Sequence, residues 1–386
     1  MLKYFSADWI FPVNIPPIKN GTVAVNEIGE IVNLFTEDQS KRLEVKKYTG
    51  AIVPGFVNTH CHLELSHMFK QIPAQTGLVE FVKLIIKSRH SSEEQLKSAM
   101  EIADKQMFDN GIVAVGDISN QISSKQIKLN SKIAYHTFIE AMGFYPDRAE
   151  AIMAHAKQVE QEFSPLPTSI VPHAPYSVSS QLFQLINKAA IQKQSFLSIH
   201  NQETPDENLF FQDKTGGFLE LYRFLGLDIE FFRASGNTSL KSYLPYISNQ
   251  KTLLVHNTVS SKEDIAFAKQ INSNLYWCLC PNANLYIENT LPDVDLLIQE
   301  NVKITLGTDS LASNHQLNIL AEMKTLQENK NVSFDKLLSW ATINGAEFLA
   351  YEKELGTIEI GKKPSLNLIQ LTDDFKIITD KVTKLA

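Results

Sequence analysis

Between about residues 51 and 338, short runs of β-branched and other apolar residues alternate with longer stretches whose apolar positions recur at helical spacing. This is the pattern of repeated βα units and a parallel sheet. The runs are 51–58, 112–117, 132–137, 168–172, 195–199, 252–255, 274–279 and 303–307, with helical patterns at 94–107, 149–161, 180–192, 262–270 and 316–327. Ser179, Ser261 and Asn314 stand where amino-terminal caps belong. Eight units predict a closed (β/α)8 TIM barrel. An open doubly wound sheet is the alternative, but polar residues gather at the carboxyl ends of several runs, where barrels build their active sites.

The flanks follow another period. Residues 21–25 and 30–34 are short strand patterns separated by Asn26-Glu27-Ile28-Gly29, which reads as a hairpin, and 356–369 gives further short strands and turns. The expected organisation is therefore a barrel over residues 53–350 and a small β-sandwich-like subdomain assembled from residues 1–52 and 351–386.

Composition narrows the function. Hydrophobic residues make up 44% of 386 positions, enough to bury a large core and to exclude a disordered or fibrous chain. A net charge of -7 without a basic cluster gives no reason to expect nucleic acid or an anionic membrane as partner. The three cysteines, Cys61, Cys278 and Cys280, have neither disulfide-framework nor four-cysteine zinc spacing. With no signal-peptide pattern and no stretch of membrane-spanning length, a cytoplasmic protein is expected.

The chemistry sits at the run ends. His60-Cys61-His62 closes the first run, and alternate residues of an extended strand can converge on one ion. His200-Asn201-Gln202-Glu203 closes the fifth, His256 the sixth, and Asp309 follows the eighth. Taken singly, His200 reads as a hydrogen-bonded strand-end histidine and Asp309 as a loop cap. Their joint placement on one barrel face favours a hydrolytic metal site, because imidazoles and a carboxylate can hold a divalent ion and leave a position for water.

Six segments then resemble the amidohydrolase superfamily, within it the aminohydrolase and chlorohydrolase branch that acts on purines, nucleosides, pterins and triazines. They are PGFVNTHCHLEL (54–65), HAPYSVS (173–179), HNQET (200–204), VHNT (255–258), CPNANL (280–285) and LGTDSLASN (306–314). The resemblance implies His60, His62, His200 and Asp309 as ligands of one divalent metal ion, Zn2+ or alternatively Fe2+, since the fourth run ends in Pro172-His173 without the lysine that two-metal members use. It also implies Glu203 and His256 as the catalytic pair.

On this reading the reaction replaces the amino group of a heteroaromatic carbon with oxygen and releases ammonia. Asp309 is both ligand and base toward the water, Glu203 shuttles a proton to the ring nitrogen and then to the leaving amine, and His256 orients the hydroxide. His173 and Glu64 are expected substrate contacts, and Phe69, Leu78, Phe81, Phe210, Phe211 and Trp277 candidate pocket walls. The expected partner is a small amino-heterocycle such as a purine base or nucleoside; a homodimer is left open. Cys61, Asn201-Gln202 and Asn257 depart from the branch's usual residues, which bears on the substrate more than on the reaction. A cyclic amide or amidine hydrolase using the same ion is the alternative reaction, and a catalytically silent ligand- or partner-binding barrel the alternative class.

Overall fold

The computed structural model describes residues 2–386. Eight parallel strands form the barrel: β1 (Phe56–Cys61), β2 (Ile112–Ser119), β3 (Ala134–Ala141), β4 (Thr168–Pro172), β5 (Leu197–Asn201), β6 (Thr252–His256), β7 (Leu275–Leu279) and β8 (Lys303–Leu306). They pair as two four-stranded sheets, β1 to β4 and β5 to β8. Two sets of backbone bonds join the halves. At one seam the His200 N–H donates to the His173 carbonyl at 3.0 Å; at the other the N–H groups of Thr308 and Asp309 both donate to the His60 carbonyl at 3.1 Å. Both seams pass through residues singled out by the sequence for their chemistry.

The first apolar run does not form one strand. It divides at Gly55, with Lys46–Pro54 entering the small sheet and Phe56–Cys61 the barrel. The reason is steric: a Cβ at Gly55 would lie 2.3 Å from Val113 Cγ1 and 2.6 Å from the Pro364 carbonyl, so only glycine lets the chain pass between the two sheets. The small sheet has seven strands, in which Lys46–Pro54 runs parallel to Lys3–Ile10 and antiparallel to Leu366–Ile369. Thr22–Val25 and Ile31–Phe35 pair antiparallel beside them.

Two further differences concern element ends. The third run extends past Thr137 to Ala141, which carries Glu140 to the barrel rim. Asn314 is not a cap: the helix Ile319–Lys330 begins at Asn318, whose side chain accepts from the N–H groups of Leu320 and Ala321. Ser179 and Ser261 do cap their helices.

Buried apolar residues of the strands and surrounding helices make one core. A second apolar cluster roofs the carboxyl rim. It is built from the helix Leu78–Ser88 after β1 and the helices Pro205–Asp213 and Phe218–Phe224 after β5, and includes Leu78, Phe81, Tyr176, Phe210 and Tyr222. Among the described residues no helix is long and apolar enough to cross a membrane.

Candidate metal centre

β1 delivers His60 on its last turn of strand and His62 one residue beyond it, next to a register shift between Asn58 and Cys61 that bends the strand end. The chain is pinned directly after His62, where the Leu63 N–H donates to Asp117 Oδ1 at 2.8 Å. Asp117 is in turn paired with Lys128 at 2.6 Å, both side chains fully buried. β5 contributes His200, whose Nδ1 lies 2.8 Å from the His173 carbonyl, so that Nδ1 carries the proton and Nε2 is free to ligate. Cys61, between the two first histidines, is buried in the main core.

The three imidazoles converge. His62 Nε2 lies 3.2 Å from His60 Nε2 and 3.2 Å from His200 Nε2. Asp309 Oδ1 stands 3.6 Å from His60 Nε2 and 3.4 Å from His62 Nε2, while its other oxygen accepts from Ser313 Oγ at 2.5 Å. Ligands at about 2.0 Å from one ion and at tetrahedral angles are separated by roughly 3.3 Å, and the four separations just given match that spacing. Three facing Nε2 atoms cannot all be satisfied by hydrogen bonds to one another, which adds chemical reason for an ion between them. Burial, and then the neighbouring His60, lowers the pKa of both His62 and His200, favouring the neutral rings that coordinate metal. Burial works against charge on Asp309, but His60, His62 and His256 outweigh it and hold this carboxyl well below its ordinary range.

Four residues at this rim hold left-handed backbone without being glycine: Gln202 (φ 45°), His256 (φ 77°), Asn257 (φ 60°) and Asp309 (φ 55°). Such conformations persist where the surroundings over-determine them. Asn257 shows how, donating through Nδ2 to the carbonyls of Leu254 at 2.8 Å and Cys278 at 3.1 Å. The turn aims His256 Nε2 at Glu203 Oε1, 3.6 Å away. Burial lowers the His256 pKa to about 3, and burial, followed by the Asp309 charge, raises that of Glu203 well above the carboxylate range. The backbone of this loop is held from below by Glu207, which accepts from the N–H groups of Gln202 at 2.9 Å and Glu203 at 3.2 Å.

His173 lines the same cavity as the histidine cluster, its Nδ1 2.6 Å from Ser177 Oγ. Glu64 does not. It accepts from the Asn120 N–H at 3.0 Å and from Ser123 Oγ at 3.3 Å, and faces a small neighbouring cavity with Arg89 and Gln121. Of the candidate walls, Leu78 and Phe81 line the histidine cavity, together with Val82, Ile85 and Tyr176. Phe210 and Phe211 lie in the roof cluster, Trp277 lies in the main core, and Phe69 is exposed.

One cavity residue has no place in the sequence reading. Glu140, 3% exposed at the side chain, lines the cavity with its Oε1 3.8 Å from His200 Nδ1. Asn120 Nδ2 donates to its other oxygen at 3.0 Å. The signal was present: Phe138-Ile139 continues the apolar run, so a carboxylate follows at a strand's carboxyl end.

A parallel barrel presenting imidazoles from two strands and a carboxylate from a third at its carboxyl rim has the donor set that metal-dependent hydrolases use. Residues 51–384 match the amidohydrolase family, and the chain belongs to it. It is 25% identical over 337 residues to an adenosine deaminase of Helicobacter pylori, covering 84% of this chain and 80% of that one. It is 25% identical over 366 residues to a 5-methylthioadenosine/S-adenosylhomocysteine deaminase of Clostridium tetani, covering 88% and 80%. In structure it resembles the aminofutalosine deaminase of Helicobacter pylori in complex with methylthio-coformycin, with a TM-score of 0.81, 23% identity, and 98% and 94% of the two chains covered.

Proposed function

We propose that this protein is a mononuclear aminohydrolase that replaces the amino group of a purine-type heterocycle with oxygen and releases ammonia. The observation that carries the reading is Glu203: a buried carboxyl whose pKa is pushed up, beside His256 and next to the cluster of His60, His62 and His200 with Asp309 against it. Hydrolysis of an amide needs an acid only for the departing nitrogen. Displacing an amine from an aromatic ring needs one for the ring nitrogen too, because that nitrogen must take a proton before the adjacent carbon accepts water.

His60, His62, His200 and Asp309 would hold the ion, and their nitrogen-rich set suits Zn2+, with Fe2+ as the alternative. When bound, the ion supplies Lewis acidity that makes water acidic near neutral pH. Asp309 would accept a proton from the attacking water. Glu203 delivers its proton to the ring nitrogen from Oε1, takes up the proton of the added hydroxyl as the carbonyl forms and passes it to the departing amine; the proton on Asp309 then restores the acid. His256, as a neutral imidazole, holds the attacking oxygen and the tetrahedral centre by hydrogen bond. The helix Leu78–Ser88 closes the apolar side of the cavity and keeps water out.

The relatives' action on adenosine-type nucleosides supports a purine substrate. The reading assigns catalysis to residues 53–350 and a supporting role to 1–52 and 351–386, and places the enzyme in the cytoplasm, where three free thiols persist. The test joins metal analysis of the purified protein to an ammonia-release screen over purines, purine nucleosides, pterins, pyrimidines and triazines. One ion per chain and ammonia from a purine are expected; ring opening without ammonia, or no bound ion after growth with zinc, overturns the reading.

A further inference from the structure

Glu140 Oε1 is buried without a hydrogen-bond partner. A buried polar atom left unmatched costs roughly 1–3 kcal/mol, and the other oxygen of the same carboxylate is matched, by Asn120 Nδ2 at 3.0 Å. His200 does not supply the missing bond, because its Nδ1 is directed to the His173 carbonyl at 2.8 Å and stands 3.8 Å from Glu140. Glu140 lines the histidine cavity, and this oxygen, itself shielded from solvent, is the one its carboxylate has left for a ligand there.

His173 stands beside it and offers a second acceptor. Ser177 Oγ lies 2.6 Å from His173 Nδ1 and 3.1 Å from the Ala174 carbonyl; with its proton on the carbonyl it accepts from Nδ1. In the neutral ring the lone pair is then on Nε2. Ring nitrogens of His173 and His200 and an oxygen of Glu140 all lie within 4.8 Å of one another. His173 and Glu140 thus stand close enough together in the cavity to serve two adjacent donors of one ligand.

Position decides which part of the ligand arrives there. His256 and Glu203 lie on one side of His200, whose ring is 5.6 Å from that of His256; His173 is packed against it at 4.9 Å with Glu140 alongside. The carbon that loses its amine has to sit against the histidine cluster with its ring nitrogen at Glu203. The Glu140 end then receives what the heterocycle carries away from its reacting edge.

We infer that Glu140 Oε1 and His173 Nε2 accept hydrogen bonds from the sugar hydroxyls of a purine ribonucleoside, making Glu140 a specificity-determining residue that selects nucleosides over free bases. This rests on the aminohydrolase reading and sharpens it. A site built to bond a hydroxyl rejects the analogue that lacks it far more strongly than an apolar pocket rejects a missing methylene. A Glu140→Gln change reverses the polarity at this point, since Asn120 Nδ2 holds the amide oxygen and turns the amide nitrogen toward the cavity.

The experiment measures kcat/KM for ammonia release from adenosine, 2′-deoxyadenosine, 3′-deoxyadenosine and adenine, with the parent, Glu140→Gln and Glu140→Ala, alongside metal content. For the parent, adenosine is expected to exceed adenine by about 100-fold or more, and at least one deoxynucleoside to fall at least about tenfold below adenosine. In both variants the ribo-to-deoxy ratio should collapse toward one while the bound ion is retained. Comparable parent rates on adenosine and adenine, or a ratio that survives both substitutions, overturn the inference and leave the aminohydrolase reading intact. Loss of the ion with selectivity unchanged also overturns it, by making Glu140 a support for His200. Absence of ammonia from every compound instead removes the aminohydrolase reading itself. Should neither variant fold, Glu140→Asp, which keeps the charge and draws the oxygens back by one methylene, takes their place in the same comparison, and an unchanged ribo-to-deoxy ratio overturns the inference.

Discussion

The Asp309 N–H donates to the carbonyl of His60 at 3.1 Å, and the carboxylate of the same aspartate lies 3.6 Å from the imidazole of the same histidine. One contact closes the barrel between β8 and β1; the other brings together two groups of the metal centre. The second seam repeats the arrangement, since the His200 backbone joins β5 to β4 while its ring meets His62. Closing this barrel and assembling its site are therefore the same event, which ties ion binding to stability.

Removing the ion should destabilise the protein. A ligand that binds only the folded chain contributes about 2.7 kcal/mol when its concentration is 100 times its dissociation constant. Dialysis against a chelator is expected to lower Tm by a few degrees, and added zinc to restore it. His200→Ala should abolish the response to zinc. An identical Tm with and without ion, followed by calorimetry, would show that the seams hold without help from the site.

Glu203→Gln should retain fold and ion content while kcat/KM falls by about 10² to 10⁴. The pH dependence follows from the raised pKa of Glu203. The acid acts in its protonated form, so activity is present below its pKa and lost as pH rises through it. A parent profile with no descending alkaline limb, or a variant as active as the parent, removes Glu203 from proton transfer.

Much of this was legible in the sequence because barrels place chemistry at strand ends, and an apolar run marks a strand end by stopping. His200 and His256 follow such a run directly, and His60 and His62 come two and four residues after one. Glu140 escaped because its run was ended at Thr137, where alternation fades although the strand continues to Ala141. Gly55 was hidden for another reason: the apolar pattern crosses it without a break, and only the approach of Val113 and Pro364 shows that two strands meet there. For Glu64, expected as a substrate contact, the sequence could not show that Asn120 and Ser123 hold it toward a neighbouring cavity. The Asp117–Lys128 pair, which pins the chain after His62, depends on contacts between β2 and the following helix that no local pattern reports.

Glu207 makes stability depend on pH. Burial, opposed by bonds from Ser239, Gln202 and Glu203, raises its pKa to about 7 from an ordinary 4.5. The folded chain therefore holds a proton that the unfolded chain releases between those values, so stability is greatest below the lower value and declines as pH rises toward 7. The loss from this one group is about 3 kcal/mol, at about 1.4 kcal/mol per pH unit. Glu207→Gln cannot ionise, but presents an amide N–H to one of the backbone donors, and should cost about 1–3 kcal/mol at pH 5. Urea unfolding at pH 5 and pH 8 is expected to show the variant less stable at pH 5 and level with the parent or above it at pH 8. A constant difference between the two proteins across this range would place the Glu207 pKa near its ordinary value.

Gly307 tests how closely the site is built into the wall of the barrel. A Cβ there would lie 2.9 Å from Cys278 Sγ, 2.9 Å from His60 Cβ and 3.0 Å from Cys280 Sγ. All three neighbours are fully buried, so none can swing into solvent. Relief has to come from strand movement, and β1 is the strand that carries His60. Overpacking of this kind costs about 1–3 kcal/mol. Gly307→Ala is therefore expected to lower stability by that amount and, unlike an equal destabilisation elsewhere in the core, to weaken ion binding as His60 shifts against His62 and Asp309. Val115→Ala, in the buried middle of β2, serves as the comparison. Ion affinity measured by competition with a chelating dye should fall at least about tenfold for Gly307→Ala and stay near the parent value for Val115→Ala. Equal affinities for both variants would mean that β1 yields at its backbone without disturbing the ligand it carries.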